Sequence, residues 1–239
     1  MSAPGQSDLR DTSLIEEMTV SSMTCISARL PGVDFVRPIS SVIPGVQGRA
    51  LAVLAETTAE LNLRTLARLA GVSVAQMSRV LPELVELGLV DRREVPPSSL
   101  FRLNRGHVAS RAVLALGSVR QTVLGEIGSI ALGLPEVPRS VIVFGSFARG
   151  EADAESDIDV VVVRPSSVAA EAEKWEHSVH QLRDRVRTIT GNRVEVLEVG
   201  EDAAAVKLVG RTQVWRDIRR DGIVVHGTSI EELSRSRRG

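Results

Sequence analysis

Between Val141 and Val163 the chain reads Val-Ile-Val-Phe-Gly-Ser-Phe-Ala-Arg-Gly-Glu-Ala-Asp-Ala-Glu-Ser-Asp-Ile-Asp-Val-Val-Val-Val, and this stretch restricts the fold more tightly than any other. The apolar run Val141 to Phe144 predicts a buried strand, Gly145 and Ser146 its exit turn, and Phe147 to Gly150 the first turn of a helix. A helix start leaves backbone N–H groups free for an anion. Gly145 lets a phosphate approach the backbone, Ser146 adds a hydroxyl, and Arg149 adds positive charge. A second strand is predicted to begin at Asp157. Because side chains alternate along a strand, Asp157 and Asp159 share one face while Ile158 and Val160 point to the other. Hard carboxylate oxygens on one face suit Mg²⁺, which arrives with substrate phosphates as additional ligands. An uncompensated Asp159 between Ile158 and four valines would cost on the order of several kcal/mol to bury, so the metal reading is favoured over a plain solvated strand start.

The pattern Gly145-Ser146, Ala148-Arg149-Gly150 and Ser156-Asp157-Ile158-Asp159 resembles the signature of the polymerase-β-type nucleotidyltransferases, in particular their small "minimal" branch, across the segment from Pro138 to Val199. The resemblance implies that Gly145 and Ser146 hold a triphosphate, with Arg149 and Ser156 beside it. It further implies that Asp157 and Asp159 bind two Mg²⁺ (or Mn²⁺) ions. The metals would activate an attacking hydroxyl and steady the departing pyrophosphate, the two-metal logic of in-line displacement. Members of the family generally draw a third carboxylate from a later strand, and Asn192 to Val199 is the candidate. Glu195 shares a face with Leu197 and Val199, Glu198 with Val194 and Val196. Glu195 is preferred because it sits mid-strand between two valines, where a carboxylate without a role would be costly.

A second segment, Leu61 to Asn104, carries a different signal. Leu63, Leu66 and Leu69 predict a short helix, Gly71 a turn, and Ser73 with Gln76 a capping box that opens another helix. Val80, Leu81, Leu84 and Leu87 continue its apolar side and Gly88 ends it. Pro82 removes an amide inside that helix, which predicts a kink or an early end. Two alternating stretches, Leu89 to Val95 and Leu100 to Asn104, flank Pro96-Pro97-Ser98-Ser99 as a hairpin turn. Helix, turn, capped helix and hairpin in this order form a winged helix-turn-helix. Leu66 to Ser73 and Leu84 to Val90 resemble bacterial winged-helix transcriptional regulators. The resemblance implies binding of double-stranded DNA, with Ser73, Gln76, Ser78 and Arg79 at the base edges and Arg92, Arg93 and Arg102 at phosphates. Seven arginines against four acidic residues between Arg64 and Arg105 make the basic excess mild, which leaves an interaction-only role as the alternative.

The net charge of −1 excludes a chain that coats polyanions globally, so nucleic-acid contact must be local. A single cysteine excludes an internal disulfide framework, and no Cys/His cluster suggests structural zinc. His177 and His180 read as surface residues. No stretch approaches a membrane span and no secretory signal is evident, so a cytoplasmic protein is expected. Lys174 and Lys207 are the only lysines; arginine richness therefore looks like coding bias rather than function.

The predicted fold class is α+β with two domains, a winged helix-turn-helix followed by a polymerase-β-like α/β domain with a mixed sheet. The boundaries are a flexible tail at 1–44, the winged helix at 45–107, a helical connector at 108–134, the nucleotidyltransferase domain at 135–227 and a basic tail at 228–239. Phe35 to Ile43 could run extended or pack on a partner. Val168 to Thr190 predicts one amphipathic helix with Trp175 in the core, Glu201 to Asp221 one or two more, and Ser110 to Leu132 a helix serving as dimer element or interdomain brace. Together the resemblances imply a metal-dependent transferase moving a nucleoside monophosphate, AMP from ATP by preference, to a protein, RNA or small-molecule hydroxyl. The winged helix would regulate the protein's own gene as a homodimer, in a toxin–antitoxin setting. Two alternatives stand beside this: a regulator whose transferase fold only senses nucleotide, and an antitoxin that acts by complex formation with a toxin.

Overall fold

The computed structural model describes residues 32–235; what was expected of residues 1–31, Cys25 included, and of residues 236–239 lies outside the described residues. In chain order the first half comprises α1 (Pro38–Val42), α2 (Gly45–Ala55), β1 (Leu61–Asn62), α3 (Leu63–Leu69), α4 (Val74–Glu86), β2 (Val90–Val95), β3 (Ser98–Leu103) and α5 (Val108–Gly117). The Asn62 side chain caps α3 by accepting from the Thr65 amide, and Gly71 turns the chain at φ 63°. Ser73 and Gln76 form the expected capping box, each side chain bonding the other's backbone amide. The helix runs on through Pro82 to Glu86 and is not shortened there. Met77, Leu81 and Leu84, all buried, clamp it on both sides of the proline, and burial of that size outweighs one missing amide bond. Leu66, Phe101, Leu103 and, from α1 and α2, Ile39, Leu51 and Leu54 complete this core.

The hairpin turn is tighter than expected. Val95 pairs with Ser98, so Pro96 and Pro97 alone make the turn, and Leu61–Asn62 adds a third strand against β3 that its two-residue length hid from the sequence pattern.

The connector is two helices. The first is α5, and the second, α6 (Val119–Leu132), begins beyond Ser118, which ends one and starts the other. Val113 of α5 lies in the winged-helix core, whereas Val123, Leu124, Ile127 and Ile130 of α6 lie in the core of the second half. The apolar stripe read as a dimer element or interdomain brace is thus divided between the two cores of the chain.

That second half continues with β4 (Ser140–Phe144), α7 (Gly145–Arg149), β5 (Ile158–Arg164), α8 (Glu173–Thr190), β6 (Val194–Gly200), α9 (Glu201–Leu208), α10 (Gln213–Asp221), β7 (Ile223–Gly227) and α11 (Ile230–Arg235). Its four-stranded sheet has the order β6-β5-β4-β7 and is mixed: β5 is parallel to β6, while β4 is antiparallel to β5 and β7. Both faces are covered. Val141, Val143, Ile158, Val160 and Val162 face α6 and α8, with Trp175 and Leu182 fully buried there. Ile142, Val161 and Val163 face the other way, against Leu208, Trp215, Ile218 and Leu233.

Two segments expected to be tails are folded where they are described. Phe35 is buried edge-on against Phe147, with ring centroids 4.6 Å apart at 87°, and Ile39 is buried in the winged-helix core. At the other end Ile230 and Leu233 of α11 are buried on the α9 side of the sheet. Both segments are short and broken by polar residues or proline, so neither gave a sustained period to read, yet each fills a site that another element leaves open.

Candidate active site

The period of two carries Asp159, Val161 and Val163 on one face of β5, and the deeper two of these are core residues packed toward α9 and α10; Asp157, expected to open the strand, lies one residue before it. The same face therefore turns from apolar to acidic as it nears the strand's start. Parallel pairing sets Asp159 opposite Glu195, so Glu195 joins the two aspartates, whereas Glu198 lies on the opposite face. There it accepts from Trp175 Nε1 at 2.7 Å and pairs with Arg164 at 3.4 Å, a structural duty. The Glu195 side chain is 55 % exposed. Register with Asp159, not the burial argued from its valine neighbours, brings it to this face.

Gly145 closes the site from β4. Its φ is +72°, and a Cβ built on it would overlap the Asp159 carboxylate at Oδ2; only glycine lets the exit turn of β4 lie against that aspartate. The short α7 that follows is capped by Gly150 at φ 77°, and its first amides have no intrahelical partner. Burial, then Asp157, then Glu195 push the Asp159 carboxyl above its ordinary pKa, with Arg149 opposing them. Arg149 itself pairs with Glu151 at 2.8 Å and reaches toward Asp221 at 3.8 Å.

Ser156, grouped with the phosphate-binding residues by resemblance, is engaged locally: its hydroxyl donates to Asp153 at 2.8 Å and accepts from the Asp153 amide at 3.0 Å. This keeps the loop before Asp157 in shape. The backbone of residues 32–35 braces the same loop, through Gly32 and Phe35 amides that donate to Ala154 and Ala152. Arg193, a residue that the sequence pattern did not single out, lies between two of the acids. Its Nε and a terminal nitrogen donate to Asp157 at 3.0 and 2.6 Å, and its Nε stands 3.3 Å from Glu195. With the side chains so arranged, no three Asp, Glu, His or Cys residues among the described residues converge as a metal-holding group. His177 and His180 are exposed on α8.

In the first half the residues expected at DNA are all exposed around α4 and the hairpin. Ser73 and Gln76 are occupied by the capping box, and Ser78 donates to the Ala75 carbonyl at 3.0 Å. Three arginines have carboxylate partners: Arg92 with Glu94, Arg93 with Glu60 and Arg102 with Asp91. Such exposed pairs contribute little and exchange readily for phosphate.

Residues 128–205 match the model of the nucleotidyltransferase domain, and residues 43–98 match that of the MarR family. The chain thus joins a MarR-family winged helix, at its N-terminal side, to a nucleotidyltransferase domain. It is also similar, at 16 % identity and a TM-score of 0.31, to a chain described as "Crystal structure of the toxin-antitoxin with AMP-PNP", over 50 % of this chain and 82 % of that one. No curated protein matches its sequence. Among the described residues no helix is long and apolar enough to cross a membrane.

Proposed function

We propose that the second half transfers a nucleoside monophosphate from an NTP, ATP in the first instance, to an acceptor hydroxyl on a protein, RNA or small molecule, and that the first half binds double-stranded DNA. The reading assigns the protein to the cytoplasm, as a homodimer on a two-fold operator, in which a winged helix of each protomer reads one half-site. The observation that carries the transferase reading is the close approach of the Gly145 turn to the Asp159 carboxylate, whose register partner on the neighbouring strand is Glu195.

The donor set fits a hard divalent ion: Asp157, Asp159 and Glu195 offer only oxygen, and their mutual repulsion calls for a counter-charge. Those three residues would hold Mg²⁺ or Mn²⁺, which supplies Lewis-acid charge for in-line displacement at phosphorus. The Gly145 and Ser146 backbone would receive the triphosphate, Ser146 adding its hydroxyl and Arg149 a cation at the rim. The test is incubation of the purified protein with labelled NTPs, Mg²⁺ and candidate acceptors, the product of the adjacent gene first among them. Label should move with the wild type and stay put with Asp157→Ala and Asp159→Ala; movement undiminished in both variants would refute the assignment.

A second reading, a regulator that senses nucleotide, is favoured by one specific arrangement. Phe147, directly after Ser146, is held by two residues that lead to the winged helix. Phe35 stacks edge-on to it, four residues before the buried Ile39. Arg120, two residues past the α5–α6 break, donates from Nε to the Phe147 carbonyl at 2.8 Å and from a terminal nitrogen to the Ala148 carbonyl. Occupancy of the Gly-Ser turn would therefore bear on both connections between the halves. If the halves are coupled, affinity for the protein's own promoter DNA changes on adding ATP and Mg²⁺, and Phe35→Ala reduces that change.

A further inference from the structure

Arg193 stands where a cation would be required. It is held there by its neighbours rather than by its own long side chain: Asn192, 2 % exposed, donates to the Ser156 carbonyl at 3.0 Å and accepts from the Val33 amide at 2.9 Å, and the Ile158 amide donates to the Arg193 carbonyl at 2.8 Å. With the backbone fixed on both sides, the guanidinium forks onto Asp157 and reaches Glu195. The two acids raise its own pKa, Asp157 first, so it stays charged at every working pH.

We infer that Arg193 is an internal counter-ion that competes with the divalent metal for Asp157 and Glu195, a positioning residue that must swing away before those carboxylates can ligate. The inference rests on the metal reading given above. Two features make the swing feasible. The Arg193 side chain is 59 % exposed, so its guanidinium is already largely hydrated and gives up only an exposed ion pair when it swings into water. Asp159 is not among its hydrogen-bond or ion-pair partners, which leaves one acid as the first ligand while the other two are still engaged.

The experiment is titration of Mn²⁺ alone into the full chain, followed by Mn²⁺ electron paramagnetic resonance, for the wild type, Arg193→Ala and Arg193→Lys. Removing the competitor should tighten the Mn²⁺ dissociation constant by roughly threefold to tenfold, the range an exposed but bidentate ion pair supports. Arg193→Lys, which keeps the charge but loses the fork, should fall between, and it serves as the reporter if the alanine variant does not fold. The gap between wild type and Arg193→Ala should narrow in high salt, as competition between charges is screened. Equal or weaker Mn²⁺ binding by the variants, with the wild type binding, would overturn the role of Arg193 and leave the metal site standing. No binding by any of the three would remove both the metal reading and this inference.

Discussion

The surroundings of Asp159 disfavour its ionised form, and this has a cost that can be measured. Its folded pKa is raised by burial and by Asp157 and Glu195. A raised carboxyl leaves the fold unpenalised below the unfolded-chain value; the penalty enters as pH climbs past that value and is complete once pH exceeds the raised one. Asp159→Asn should therefore raise Tm by roughly 2 °C at pH 7 and lose that advantage in acid below the ordinary aspartate range. Added Mg²⁺ should raise the Tm of the wild type only. A lower Tm for the variant at neutral pH would contradict this account of the site. Gly145→Ala should cost about 1–3 kcal/mol in a denaturant melt, because alanine is strained at φ +72° and its Cβ meets the carboxylate. The place of Asp159 on the face of Val161 and Val163 was legible from period, whereas Asp157 precedes the strand that the period assigned to it. Arg193 was not, because its pairing depends on the loop that Asn192 pins, a contact between residues far apart in the chain. Ser156 shows the opposite case, a residue expected beside phosphate whose hydroxyl a local turn engages, a bond that nothing in the spacing reveals.

At the scale of elements, capping chemistry was read correctly while helix limits were not. Ser73 and Gln76 behave as their spacing demands, and Ser73→Ala should destabilise the chain by about 1 kcal/mol through loss of the cap. Pro82 broke the local rule without breaking the helix because Leu81 and Leu84 are buried on either side. Likewise the stripe from Val113 to Ile127 announced a helix but not that Ser118 divides it between two cores. Phe35 is the clearest case of a residue invisible to periodicity. Truncating it to alanine should cost about 3 kcal/mol or more, as for other buried aromatic residues, detectable by chemical denaturation; an unchanged midpoint would mean the segment before α1 does not secure the fold.

For the whole molecule, the halves share little sequence logic yet meet through Phe35, Arg120 and the α5–α6 break, all legible only once the chain is folded. DNA binding by the first half predicts a dependence on its exposed cations. Arg79→Ala, at the N-terminal part of α4, should weaken promoter binding, and if its contact is to phosphate it should lower the salt slope by about one. The central claim nevertheless belongs to the second half, that Asp157, Asp159 and Glu195 form a metal-dependent nucleotide site against the Gly145 turn. Calorimetric titration of ATP with Mg²⁺ into the wild type and into the Asp157→Ala/Asp159→Ala double variant tests it most directly. Saturable binding by the wild type that disappears in the double variant or on chelation with EDTA is the predicted result. Absence of binding by the wild type, or equal affinity in both proteins, would contradict it.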